Sequence, residues 1–171
     1  MNLVENKKVK LICLDFKEWK MLLKSPEKLE IKYNLSQSRN QESKIIQEVM
    51  LDILDKINMG LMNYKEHTTC AIVYNPENRI VGTISLKGKM NQKIFSDYYE
   101  IGYGINKNYW NLGIMTNAIN LFLKIIRENL NITKLIAETD IENIGSQKVL
   151  RKNDFKKVQA KRNSLFFILE K

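Results

Sequence analysis

The chain has 171 residues, 44% of them hydrophobic, and a formal net charge of +9. That length and apolar content suit a single compact domain over residues 1–171, and exclude a chain too polar to bury a core. The positive charge invites a nucleic-acid partner, but the lysines are scattered rather than gathered into a stripe, so most read as a solvated surface and no nucleic-acid partner is expected.

At the start, MNLVENKKVK lacks the apolar core of a signal peptide, and no apolar run reaches the length of a membrane span, so a cytoplasmic protein without a membrane partner is expected. Lys8 to Leu14 alternates apolar positions and predicts a first strand; Phe16 to Leu23 predicts a short helix that Pro26 ends. Ser36 to Tyr64 is the longest helical pattern, with Ile45, Ile46, Val49, Met50, Ile53, Leu54, Ile57 and Leu61 as an apolar stripe and Ser43 among its start signals. Thr68 to Tyr74 and Arg79 to Leu86 are β-rich runs either side of the turn Asn75-Pro76-Glu77-Asn78, which predicts a hairpin. Cys13 and Cys70 lie in apolar, strand-like surroundings with no metal-ligand spacing, so they read as buried free thiols and no metal is expected.

Tyr98 to Ile105 is aromatic and β-branched, with Gly102 and Gly104 allowing a bend or the close approach of another backbone. A turn-forming Asn-Lys-Asn run and the loop Trp110-Asn111-Leu112-Gly113 follow. Ile114, Met115, Ala118, Leu121, Phe122, Ile125 and Ile126 then recur at helical spacing. The remainder predicts a strand at Lys134 to Thr139, a helix from Asn143 to Lys152, and strands at Phe155 to Ala160 and Leu165 to Leu169. Strands that pair first through hairpins and then through helical crossovers imply an α+β chain, with a mixed sheet flanked by helices.

A strand, a short loop and a helix form a corner with a chemical use. The first amides of a helix lack internal partners and, with the helix dipole, attract anions. A phosphate could sit there, because Gly113 presents no Cβ and Thr116 adds a hydroxyl in the first turn. The same residues also suit an ordinary corner with glycine for the turn, and one glycine before a helix does not choose between the two.

Tyr109 to Ala118, YWNLGIMTNA, resembles the acetyl-CoA loop of the GCN5-related N-acetyltransferases (GNAT superfamily), whose pattern is Q/R-x-x-G-x-G/A. It is most similar to the loop of the ribosomal-protein N-terminal acetyltransferases (RimJ/RimL-type), which reads Tyr-Trp-Gly-Lys-Gly-Tyr-Ala-Thr-Glu-Ala. Asn143-Ile144-Gly145-Ser146 with Val149 to Phe155 resembles the same subgroup's N-x-x-S-x-x-V-L-x-K-x-G-F stretch, in matching order and separation. Four positions depart from the subgroup: Asn111 stands for glycine, Leu112 for Lys or Arg, Met115 for a small residue and Asn117 for Glu.

The resemblance implies the GNAT fold, a mostly antiparallel mixed sheet in which two strands splay after a bulge in the first of them, and the pantetheine arm of acetyl-CoA inserts between them. It implies backbone hydrogen bonds to that arm from Tyr103, Gly104 and Ile105, a pyrophosphate at the amides of Leu112, Gly113, Ile114, Met115 and Thr116, and further cofactor contacts from Asn111, Asn143 and Ser146. Lys148, Arg151, Lys152, Lys156 and Lys157 could attract its phosphates. Cleft lips at Asp15 to Tyr64 and Lys161 to Ser164 would choose the acceptor.

The reaction implied is direct transfer of acetyl from acetyl-CoA to a primary amine: a protein N-terminus, a polyamine, an aminoglycoside or an amino acid. A cationic amine is no nucleophile, so a base and an oxyanion donor are needed. Glu138 and Glu100, on the strands flanking the splay, are the candidate bases, with Glu138 slightly ahead. The amide near Ile105 is the oxyanion donor, and Ser146 is placed by the resemblance at the departing sulfur. The tyrosine that other relatives use there is replaced by Leu150. A strand glutamate can equally face solvent, and Asn143 and Ser146 can equally be a cap and a first-turn residue. The departures leave a second function open, a catalytically weak CoA-binding module. A monomer or homodimer is expected.

Overall fold

The computed structural model describes residues 3–38 and 44–170. Its frame is one eight-stranded sheet in the order β1-β2-β3-β4-β5-β6-β8-β7, built from β1 (Leu3–Glu5), β2 (Val9–Cys13), β3 (Thr69–Tyr74), β4 (Arg79–Lys89), β5 (Tyr99–Ile105), β6 (Lys134–Asp140), β7 (Lys156–Lys161) and β8 (Ser164–Glu170). Every neighbouring pair is antiparallel except β5 with β6. The sheet is therefore mixed and mostly antiparallel, as expected for the class.

Alternation along the strands divides the apolar residues between the two faces. On the first face, Leu11, Ile72, Ile84, Ile101, Ala137 and Phe167 pack against α4 (Ile114–Leu130) and α5 (Ile144–Lys152). The second face carries two separate clusters. Ile12, Leu14, Ala71 and Val73 meet Trp19 and Leu23 of α1 (Phe16–Lys24), Leu29 of α2 (Pro26–Lys32) and Leu54 of α3 (Lys44–Asn58). Farther along, Ile136 and Phe166 pack with Phe95, whose ring is stacked 6.0 Å from Phe166. Between these clusters lie Thr83, Ser85, Gly102 and Gly104, a polar strip with little side-chain bulk.

Several local expectations change. The chain begins with a hairpin rather than a lone strand, because Asn6 makes the turn itself: its Oδ1 accepts from the amides of Lys8 and Val9, each at 2.9 Å. Pro26 opens α2 at its first turn, where its missing N–H costs nothing, after α1 has stopped at Lys24. The long helical pattern from Ser36 to Tyr64 is helical over Lys44–Asn58 among the described residues, with Ser36 instead bridging to Arg79 and a short 3₁₀ turn at Tyr64–His67. Ser43 lies outside the described residues, as do the side chains of Ile45, Ile46 and Val49. Cys13 and Cys70 are not free thiols: they face each other in the β2–β3 register and form a disulfide.

The bulge also moves. Leu86 pairs with Ile101 and Lys89 with Tyr99, so the extra residue belongs to β4, at Gly88 with φ +84°, while β5 runs on in regular register to Ile105.

Candidate active site

β5 and β6 are each seven residues long, yet they pair only at Tyr99 with Leu135 and Glu100 with Ile136. Beyond those two pairs the strands part and leave a gap, which has a definite backbone lining. The amide of Asn106 donates to the Val81 carbonyl of β4 at 2.9 Å, so the polar groups of Ile105, one residue earlier, turn toward the gap. Alternation sends those of Gly104 back to β4, where its carbonyl lies against Gly82, and those of Tyr103 into the gap. The Ile105 carbonyl accepts from the Trp110 indole N–H at 3.2 Å. Of the three expected backbone donors, Tyr103 and Ile105 thus face the gap, while Gly104 offers space: a Cβ there would meet nothing within 4 Å.

At one end of the gap the chain turns into α4 through two left-handed residues, Asn111 at φ +61° and Gly113 at φ +73°. Such angles favour glycine, and asparagine is the side chain that tolerates them best. The asparagine at 111 is therefore a conformational equivalent of glycine. Gly113 is the N-cap and supplies no side-chain cap, so the first amides of α4 stay open. The other departures have places too. Met115 is buried in the first-face core. Asn117 accepts from Asn6 Nδ2 at 3.0 Å and donates to the Gly113 carbonyl at 2.9 Å. Leu112 lacks a cation of its own, but Lys8 Nζ donates to its carbonyl at 2.9 Å and stands 4.0 Å from where a Cβ on Gly113 would be. The β1–β2 turn thus carries an ammonium to the loop. Nothing in the sequence signals this contact, since Lys8 and Leu112 are 104 residues apart.

At the first-face side of the gap stands α5. Asn143 caps it, with Oδ1 accepting from the Ser146 amide at 2.9 Å. The Ser146 hydroxyl hydrogen-bonds the Tyr103 hydroxyl at 2.8 Å, joining the two sides where the strand ladder has stopped. Burial pushes the Tyr103 phenol up to about 12, a rise that the hydrogen bond shared with Ser146 only partly offsets. In the basic cluster of α5 and its surroundings, the Arg151 guanidinium lies over the Phe167 ring, 5.6 Å from its centroid.

The two carboxylates lie on the opposite face. Glu100 is in register with Ile136, which packs into the Phe95 cluster, and Glu138 follows Ile136 on the same side of β6. They differ in their partners. Lys87 Nζ lies 2.7 Å from Glu100, its chain passing over Gly102, whereas Glu138 is exposed and has no ion-pair partner among the described residues. The gap therefore separates a pair of hydroxyls from a pair of carboxylates. No group of three or more metal-ligating side chains occurs among the described residues.

A family model described as an acetyltransferase (GNAT) domain matches residues 14–156. Among solved structures, a GNAT-family acetyltransferase from Bacillus anthracis is similar at 18% identity and a TM-score of 0.61, over 98% of both chains. A ribosomal-protein-S5-alanine acetyltransferase from Vibrio fischeri is similar at 15% identity and a TM-score of 0.64, over 98% of this chain and 96% of that one. Mycobacterium smegmatis RimJ, in complex with CoA-disulfide, is similar at 14% identity and a TM-score of 0.63, over 95% and 81%. At these identities the likeness is one of fold. No curated protein matches.

Proposed function

Because the chain belongs to the GNAT acetyltransferase family, we propose that it binds acetyl-CoA in the gap between β5 and β6 and transfers the acetyl group directly to a primary amine. The observation that carries this is the early end of the β5–β6 ladder, which leaves the backbone of Tyr103 and Ile105 without a strand partner beside an uncapped helix N-terminus. An extended pantetheine amide can take up such groups as an added strand would. The pyrophosphate is assigned to the amides from Leu112 to Thr116. Gly113 lets it approach, and Lys8 is a cation at hand.

In this reading the neutral amine attacks the thioester carbon, the carbonyl oxygen gathers charge at the Ile105 N–H, and a C–N bond forms as the C–S bond breaks with its electron pair going to sulfur. The amine proton passes through water to a carboxylate and is finally balanced by protonation of the thiolate. Glu138 is the preferred base, since it has no ion-pair partner among the described residues, whereas Glu100 is held 2.7 Å from Lys87 Nζ and would have to leave that pair to meet a water in the gap. Ser146 hydrogen-bonds the departing sulfur, on the opposite side of the gap from the base. A protein N-terminal amine is the first acceptor to test, because ribosomal-protein acetyltransferases share this fold.

Release of CoA thiol, followed with a panel of peptide N-termini, polyamines, aminoglycosides and amino acids, tests the proposal. Amine-dependent release is expected with at least one class. CoA binding with no release above hydrolysis on any amine would favour a binding module instead.

A further inference from the structure

The hydroxyl pair across the gap carries an inference about how the leaving group is handled. Tyr103 rises from the first face of β5 and meets Ser146 in the first turn of α5, 2.8 Å away. The backbone of Ser146 is already fixed, because its amide is held by Asn143. What remains undetermined is the side-chain rotor: a serine hydroxyl has about three staggered positions, and its proton can point in several directions. A phenol is a far stronger acid than an alcohol, so in a bond between the two the phenol is the better donor.

We propose that Tyr103 is a positioning residue for Ser146: its hydroxyl donates to Ser146 Oγ, fixing the rotor and leaving the serine's own proton to point at the departing sulfur. This rests on the proposed acetyl transfer and on Ser146 standing at the thiolate. No proton is lost from Tyr103 in this scheme. Burial holds the phenol up at about 12, well above the value of about 8.5 for an ordinary thiol, so handing the phenolic proton to sulfur is unfavourable. The electron pair of the broken C–S bond stays on sulfur and is stabilised through a hydrogen bond donated by Ser146, while Tyr103 keeps that donor aimed. A tyrosine is suited to the task because its rigid ring can span from strand to helix where the β ladder no longer does.

The test is a double-mutant cycle on the full chain, reading kcat and KM for acetyl-CoA with CoA affinity measured by calorimetry. Tyr103→Phe keeps the ring and removes the hydroxyl. It should lower kcat roughly three- to tenfold, the worth of one net hydrogen bond, with KM and CoA affinity within about twofold of parent. In a Ser146→Ala background the same change should move kcat less than about twofold, because there is no longer a rotor to aim. An equal fall in kcat in both backgrounds, or parental kcat in Tyr103→Phe beside a slow Ser146→Ala, would overturn the proposal. So would loss of CoA binding in Tyr103→Phe, which would mark the hydroxyl as structural. Parental kcat in Ser146→Ala alone would instead remove the serine's role at sulfur, and this inference with it.

Discussion

Replacing Gly113 by valine separates what the loop needs for its own shape from what it needs for a phosphate. At φ +73° a β-branched residue is strained by about 1–2 kcal/mol. Inside the protein, an added Cβ meets only Lys8 Nζ, at 4.0 Å. The fold should therefore survive with a melting temperature lower by roughly 2–8 °C. Cofactor affinity should fall at least tenfold, about 1.4 kcal/mol, as the amides from Leu112 to Thr116 rotate or are covered. Gly113→Asn is the informative control, because Asn111 holds a similar angle two residues earlier. It should melt close to parent yet still bind CoA more weakly, since the left-handed conformation is retained but a Cβ now stands where the phosphate approaches. Calorimetric titration with CoA, run beside thermal melting, reads both quantities. Parental CoA affinity in Gly113→Val would refute the placement of the pyrophosphate at this loop.

Other outcomes follow from the same geometry. Ser146→Ala should lower kcat more than it raises KM for acetyl-CoA, and equal kinetics of mutant and parent would leave the serine a first-turn residue only. Glu138→Gln should depress the rate at neutral pH by roughly tenfold or more and flatten its rise with pH, with part of the loss recovered at high pH where the amine is already neutral; a parental pH profile there, together with its loss in Glu100→Gln, would exchange the two roles. Lys8→Ala should raise KM for acetyl-CoA several-fold with kcat little changed, and the parental KM should itself rise with ionic strength; a KM unmoved in the mutant would return Lys8 to the solvated surface. Thiol titration of the unfolded, unreduced protein should find no reactive cysteine if Cys13 and Cys70 are joined, whereas two thiols would contradict the pairing.

Much of the frame was legible because it rests on periodicity. The stripe Ile114, Met115, Ala118, Leu121, Phe122, Ile125 and Ile126 is buried throughout, and the strands from β3 to β8 fall within a few residues of where alternation and turn chemistry put them. Three residues of β1 are too few to show alternation, so the first hairpin was hidden in its turn residue, Asn6. Pro26 is ambiguous by nature, since proline both ends a helix and suits the start of the next. Cysteines Cys13 and Cys70 become partners only once register sets β2 against β3. In the site, motif spacing located the loop and α5 but could not say which way a residue faces. The closeness of Tyr103 to Ser146, of Lys8 to Leu112 and of Lys87 to Glu100 depends on the sheet bringing distant segments together. The bulge is the clearest case: placed in β4 rather than β5, it leaves the alternation of β5 intact and puts Glu100 and Glu138 on one face.

The central claim is acetyl transfer from acetyl-CoA to an amine, and isotope tracing tests it most directly. Acetyl-CoA carrying a labelled acetyl group is incubated with the protein and an amine found to stimulate thiol release, and the amine is then analysed by mass spectrometry. The label should appear on the amine in proportion to the CoA released, and fall with the rate in Ser146→Ala. Label recovered only as free acetate, with the amine unmodified, would contradict the account.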